Sequence, residues 1–319
     1  MQGFDRESYF LTLLEKEGIT RGVGDDCCIL DIHPLPSYLL PHKAHIHKSH
    51  THTQTIKSLV VGMDSFCEEV HFLRDWFSPY ELATKAFLVN YSDIIAMNAT
   101  PLYAALSVAL PKDWGRAEIK AFVRGIGDFC RKYHIWLIGG DTISAAKMQI
   151  HITLFGKAHK HTLYRDRIKP KSILCYTNDR YPQNTITQCY KVLKNLLNLP
   201  NGRIAKAKGR FLSPHIRAPF IRECAPFLKG GMDISDGILA EITRICAINH
   251  LFFKPCMPFF APYLKPLLQS GESYEMLIAI DSKDFLRLKR KAARHRIKVC
   301  KLGTFTRQRQ ILPSFKHWH

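Results

Sequence analysis

The sequence has no C-x-x-C pair: its ten cysteines are scattered, with Cys27 and Cys28 adjacent, which excludes the common zinc and thioredoxin-type frameworks. Dispersed cysteines of this kind read as small buried hydrophobes, so neither structural zinc nor disulfides are expected. No apolar run approaches the roughly 18 residues of a membrane span. The opening "MQGFDRESYF" places charges where a secretory leader would carry its apolar core, so the expected location is the cytoplasm. A G-x-x-x-x-G-K-[ST] loop is absent, and so is a G-x-S-x-G elbow, which excludes a P-loop nucleotide site and a serine hydrolase of the usual build. Acid is scarce as well, with 27 Asp and Glu against 46 Lys and Arg, a formal charge of +19.

What is present is a globular composition, 46% hydrophobic over 319 residues, long enough for two packed domains. The positive charge suits nucleic acid, acidic membrane or small polyanions such as nucleotides. Its densest runs, 206–210 and 287–296, come without RGG, zinc-finger or aromatic RNA-binding patterns and read as solvated helix faces, so no specific nucleic-acid partner is expected. The stretch "HKAHIHKSHTHTQT" (42–55) holds five histidines without apolar periodicity. It reads as an exposed, dispensable loop.

Apolar spacing predicts helices over 4–17, 79–98, 116–134, 184–198 and 282–295, and one from the "DISDG" loop to about 249. Strands are expected at "CCILDI", "SLVVGMD", "YAALSVALP", "IWLIGGD", 148–158, "ILCYT", "SYEMLIAI" and "VCKLGTF". Alternating strands and helices define an α/β or α+β chain. A domain boundary is expected near 157, giving an α/β domain over 1–157 and an α+β domain over 158–319.

The scarce acids recur in one setting, beside glycine or at strand ends: Asp25 and Asp26 in "GVGDD", Asp64 in "GMD", Asp93 in "NYSDIIAM", Asp141 in "GGDT", Asp233 and Asp236 in "DISDG". Hard divalent cations take oxygen ligands, and Mg²⁺ is commonly held by a few carboxylates together with substrate phosphates. Taken singly, each Asp reads equally well as a helix cap.

In order, "GVGDDCCIL", "MDSFCEEVHF", "NYSDIIAMNATP", "GGDT", "LYRDRIKPKS", "DISDGI", "GESYEML" and the closing "SFKHWH" resemble the motif series of the thiamine-monophosphate kinases. That family belongs to the aminoimidazole ribonucleotide synthetase-like superfamily. The resemblance implies a two-domain fold: an N-terminal sheet domain that forms a homodimer, an α+β C-terminal domain, and ATP between them. It implies ATP-dependent phosphorylation of thiamine phosphate with several Mg²⁺ ions and no enzyme acid or base. Asp25, Asp64, Asp93, Asp141, Asp233 and Asp236 match its magnesium ligands. Gly140, Asp141, Arg165 and Ser235 match its ATP contacts, and His71, Glu272 and Phe315 its substrate side, with Trp318 a second aromatic candidate. The sequence departs from the pattern at Gly62 and Met63, at Ser273, at Pro170–Ser172 and at "TNDRY" (177–181). Another ATP-using enzyme of the superfamily and a basic nucleic-acid-binding protein are the alternative readings.

Overall fold

The computed structural model describes residues 28–31, 58–181, 185–198 and 205–314. Asp25, the His-rich stretch 42–55, Phe315 and Trp318 lie outside the described residues.

Two five-stranded sheets organise the chain. The first comprises β1 (Cys28–Asp31), β2 (Ser58–Cys67), β3 (Ala99–Pro111), β4 (Trp136–Ala145) and β5 (Gln149–Ala158), in the order β1-β2-β5-β3-β4. All pairings are antiparallel except β3 with β4, which lie parallel because the helix 116–133 connects them as a crossover. The second sheet comprises β6 (Ile173–Asp179), β7 (Leu228–Asp233), β8 (Phe252–Pro255), β9 (Met276–Ile280) and β10 (Ile297–Thr306), in the order β7-β9-β6-β10-β8. Its central strands β6 and β9 are buried along their whole length. Covered on both faces, they read as continuous apolar runs rather than alternating ones.

The helix α1 (Pro79–Ala96) lies between the sheets, touching β2, β3 and β5 on one side and β7 on the other. The sequence "SPYE" starts it. Ser78 Oγ accepts from Glu81 N while Glu81 Oε2 accepts from Ser78 N, a reciprocal cap, and Pro79 has no N–H to lose at the first position. A helix packed on several sides carries apolar residues almost all round. Here even Lys85, Asn90 and Ser92 are buried. Close contact with β5 depends on Gly156, where an added Cβ would stand 2.8 Å from Ile94 Cγ2. The helix α2 (Arg116–Tyr133) covers α1 from outside through Phe122, Ile126 and Phe129.

Around the second sheet lie α3 (Thr185–Leu197), α4 (Ala218–Cys224), α5 (Ile238–Asn249) and α6 (Phe285–Arg294). Most elements expected from apolar spacing are present within a few residues. Three additions are β7, α4 and β8. The stretch "LKGGMD", whose glycines suggest a loop, is a strand paired with β9.

The edge strand β4 is exposed through almost its whole length, including Trp136 (73% exposed), Leu137, Ile138 and Ile143. Leu137 pairs with Ala104 and Gly139 with Ala105, so Ile138 is the extra residue of a β-bulge. Beyond it Gly140 has φ +150°, and a Cβ there would fall 1.7 Å from Leu106 O, so only glycine fits.

Candidate active site

Three of the expected acids meet where α1 faces β7. Asp64 comes from the middle of β2, Asp93 from the last turn of α1 and Asp233 from the end of β7. Asn90 on α1 sets the first: its Oδ1 accepts from Asp64 N at 3.0 Å, and its Nδ2 donates to Ala86 O at 3.3 Å. Ser92, the residue before Asp93, donates from Oγ to Asp233 Oδ2 at 2.5 Å and so ties the helix to the second sheet.

These carboxyls are held in an environment that resists charge. Burial, reinforced by Asp64 and Asp233, pushes Asp93 well above the carboxylate range. Burial also raises Asp64, although a hydrogen bond from the Asp93 carboxyl and the neighbouring His71 ring oppose it. Asp233 is raised to about 7, by burial first, against the opposing pull of the Ser92 hydroxyl and the Arg165 cation.

Among the described acids the helix-cap alternative fails. Asp64 and Asp93 lie within regular elements, not before a helix. At α5 the N-cap position is Gly237. Asp236 instead accepts from Arg244 Nη2, and Arg244 Nη1 also reaches Glu241 at 2.8 Å. Glu241 is fully buried, and its Oε1 accepts from Ser235 Oγ (3.3 Å) and Asp236 N (3.1 Å), which fixes the "DISDG" turn.

The turn 270–275 is laced to that loop. Glu272 N donates to Ser235 O at 2.7 Å, Tyr274 N to Ile234 O at 3.0 Å, and Ile234 N to Glu275 O at 2.8 Å. Glu272 and Tyr274 take left-handed backbone conformations, φ +59° and +51°, which cost about 1 kcal/mol or more each in non-glycine residues. Three of the described backbone hydrogen bonds with the neighbouring loop offset that cost. Glu272 is buried; its Oε2 lies 2.9 Å from Lys85 Nζ, and the Tyr274 hydroxyl hydrogen-bonds to its carboxyl.

His71 packs its ring against Phe66, and its Nδ1 accepts from Cys67 N at 3.1 Å. The neutral ring therefore carries its proton on Nε2. His71 lies close enough to Asp64 to act on it electrostatically, and the charge of Arg165, half-buried, acts on Asp233. Asp141 and Gly140 sit on exposed β4, where Asp141 Oδ1 accepts from Thr142 N at 2.8 Å, and they contribute to none of the contacts above. Among the described residues no group of three His, Cys, Asp or Glu side chains has the arrangement of a finished metal centre.

Lys85, Asn90, Ser92, Glu241, Arg244 and Tyr274 were not singled out by sequence. Only Glu241 and Arg244 left a sequence signal, standing five and eight residues after Asp236 and three apart, which puts them on one face of the helix that follows.

Acids from two sheets thus meet at one buried helix end. Residues 24–158, the part of the chain holding β1 to β5, match the family model described as AIR synthase related protein, N-terminal domain. The chain is also similar to the thiamine-monophosphate kinases. It is 29% identical to the Bacillus subtilis thiamine-monophosphate kinase over 262 residues, 76% of this chain and 79% of that protein. The structure of AaThiL complexed with AMPPCP and TMP superposes with a TM-score of 0.70 at 20% identity, covering 95% of this chain and 91% of that one. The hydrogenase maturation protein HypE of Escherichia coli shares the fold at a TM-score of 0.61 and 16% identity, covering 78% and 80%. No described helix is long and apolar enough to cross a membrane.

Proposed function

We propose that this chain is a kinase that transfers the γ-phosphoryl group of ATP to the phosphate of thiamine phosphate, releasing ADP and thiamine diphosphate. The observation that carries this reading is the meeting of Asp64, Asp93 and Asp233 beside His71 and Glu272. The relation to thiamine-monophosphate kinases supports the choice of acceptor. Phosphoryl transfer through a loose transition state requires positioning and charge neutralisation above all, and an acceptor that is already an anion needs no general base. HypE supports only a shared fold, and fold alone does not select the chemistry. The test is direct: the purified chain, ATP, Mg²⁺ and thiamine phosphate should yield thiamine diphosphate and ADP in equal amounts. ATP consumption that ignores thiamine phosphate would favour another enzyme of the superfamily.

The donor set is oxygen only, on acids that burial raises, and it fits a hard divalent cation. Asp64, Asp93 and Asp233 would hold Mg²⁺, with Asp236, Asp141 and Asp25 as the further expected acids. When bound, Mg²⁺ supplies the neutralisation that lets the phosphates approach carboxylates. Arg165 is the proposed contact of phosphate oxygens near Asp233, Ser235 and Gly140 are the proposed nucleotide contacts, and His71 and Glu272 the proposed acceptor contacts. Phe315 is retained as its aromatic contact.

The shifted acids make the metal dependence testable through stability. Asp233 titrates at 3.8 in the unfolded chain and at about 7 in the fold. A raised acid favours the protonated folded state, so its contribution is fully present below 3.8 and is lost as pH rises through about 7. Metal-free protein should therefore melt lower near pH 8 than near pH 5. Millimolar Mg²⁺ should raise the melting temperature near pH 8 by about 5 °C and far less near pH 5, read by calorimetry. An equal shift at both pH values would remove these acids from the cation site.

We propose a split of the chain near 157 into the two domains expected from sequence; the absence of any strand shared between the sheets supports it. A second copy of the chain is the proposed occupant of the β4 edge, where Trp136, Leu137, Ile138 and Ile143 leave apolar surface on the outermost strand of the described sheet. Light scattering should give twice the chain mass. Ile138→Glu, at the bulge, should give the monomer mass without unfolding; a monomer mass for the parent protein would refute the dimer. ATP and thiamine phosphate as substrates favour a cytoplasmic location.

A further inference from the structure

We infer that Lys85 is a positioning residue of the acceptor site, holding the Glu272 carboxylate in place and in charge from the same helix that carries Asp93. The inference rests on the kinase reading above.

Lys85 is 0% exposed, a burial that lysine rarely adopts unless it is paired. Its pairing is specific. Nζ lies 2.9 Å from Glu272 Oε2, and the ammonium sits 4.5 Å from the centre of the Tyr274 ring and 5.1 Å from that of Phe211. Two aromatic faces around a desolvated ammonium stabilise the charge and leave few directions for its hydrogens. Stability alone is a weak reason for such a pair, because apolar residues of similar volume often serve as well or better in a core.

The arrangement around Glu272 supplies a better reason. Its backbone is fixed by the second sheet, through Ser235 O, in a left-handed conformation. Its side chain is fixed by the first half of the molecule, through Lys85 on α1. Eight residues further along that helix stands Asp93, and between them Ser92 bonds Asp233. The carboxylate is thus referenced to the helix that also references the acid cluster. Thiamine phosphate carries a cationic thiazolium and an aminopyrimidine, both of which favour an ionised carboxylate held at one distance from the reacting phosphate. Lys85 is sealed from solvent and pairs with Glu272, so it acts through that carboxylate.

The test uses the full chain and three variants, Lys85→Met, Glu272→Gln and both together. Steady-state KM is measured for each substrate, with melting temperature alongside. Each single substitution should raise the KM for thiamine phosphate by about ten- to a hundredfold while the KM for ATP stays within about twofold. The double variant should match Glu272→Gln alone, because Lys85 has nothing left to hold. Should Lys85→Met fail to fold with a buried carboxylate unpaired, the double variant removes that charge and is compared with Glu272→Gln directly. Additive losses, or a KM for ATP that rises in step, would assign Lys85 to the core and overturn the inference. An unchanged acceptor KM in Glu272→Gln would overturn it too, while leaving the kinase reading intact. A parent protein that forms no thiamine diphosphate would show failure of that reading before any variant is made, and the inference falls with it.

Discussion

Asp93→Asn is expected to fold, to melt higher than the parent protein near pH 8 without divalent cation, and to lose about 10²–10³-fold in turnover. The two effects share one cause. Burial, Asp64 and Asp233 together push the Asp93 carboxyl well up, so its ionisation is a cost that the folded protein bears when no cation is present. Asn keeps nearly the same volume and a hydrogen-bonding group towards Asp64, but it cannot ionise. The apo protein is relieved of a charge, and the phosphoryl site loses one. Calorimetry near pH 8 and near pH 5 separates the contributions, because the gain in melting temperature should shrink at the lower pH, where protonation of the raised parent acid is more favoured. A variant that retains parent-like kcat at saturating Mg²⁺ would exclude Asp93 from the site. One that melts lower at both pH values would show the carboxyl to be structural.

Arg217→Met is expected to have the largest effect on stability, about 3–5 kcal/mol, while leaving the phosphate-facing acids in place. Arg217 is 9% exposed. Its Nε donates to Glu275 Oε2 at 3.0 Å and its Nη2 to Asp179 Oδ1 at 2.8 Å, with Glu275 Oε1 as a further partner. Glu275 also accepts from Thr177 Oγ1 at 2.6 Å, and Arg210 Nε reaches Asp179 Oδ2 at 2.8 Å. Methionine fills much of the arginine stem's volume but strands Glu275 and leaves Asp179 with Arg210 alone among its strong partners. At about 2–4 °C per kcal/mol the melting temperature should fall by about 10 °C. The loss should depend on pH. Burial pushes Asp179 up, but the hydrogen bonds and charge of Arg217, with those of Arg210, outweigh it and hold the acid below its usual range. A depressed acid contributes stability above its unfolded value of 3.8 and loses it as pH falls through the folded one, so parent and variant should converge in strong acid. A pH-independent difference would mean that lost packing, not lost pairing, sets the cost.

The parts of the molecule that were legible in sequence are those in which local rules and the fold agree. The reciprocal cap in "SPYE" and an apolar pattern of the right length place α1 to within two residues of its end. The order of the acid-bearing motifs singled out a set of acids, of which Asp64, Asp93 and Asp233 meet in the fold. What sequence reading missed has a common physical origin, burial of groups that usually face water. Lys85 and Glu241 are charged, and each is 0% exposed because a partner, distant in sequence for Lys85 and three residues on along the same helix for Glu241, neutralises it. Spacing shows the Glu241–Arg244 pair but not its burial, and it shows nothing of the Lys85 partner before the fold is known. The strand β7 was hidden by Gly230 and Gly231, which suggest a turn. In the fold a Cβ at Gly230 would meet Tyr164 O at 2.5 Å, so the glycine serves close packing and not a bend. The cap reading of Asp93 failed for the opposite reason, since the helix that might have begun there had begun fourteen residues earlier.

The helix α1 also bears on how such a chain can change over generations. Lys85, Asn90, Ser92 and Asp93 reach Glu272, the Asp64 backbone, Asp233 and the Asp64 carboxyl from different points around one cylinder. Each residue advances that cylinder by about 100° and 1.5 Å. Exchanging one of these side chains disturbs one contact. Inserting or deleting a single residue between 85 and 93 turns everything on one side of the change by about a quarter revolution relative to the other, so no choice of side chains restores all four contacts. Lineages descending from this sequence are therefore free to vary in the length of the connections outside the helix, whereas the interval from Lys85 to Asp93 is a fixed ruler that drift can repaint but not stretch.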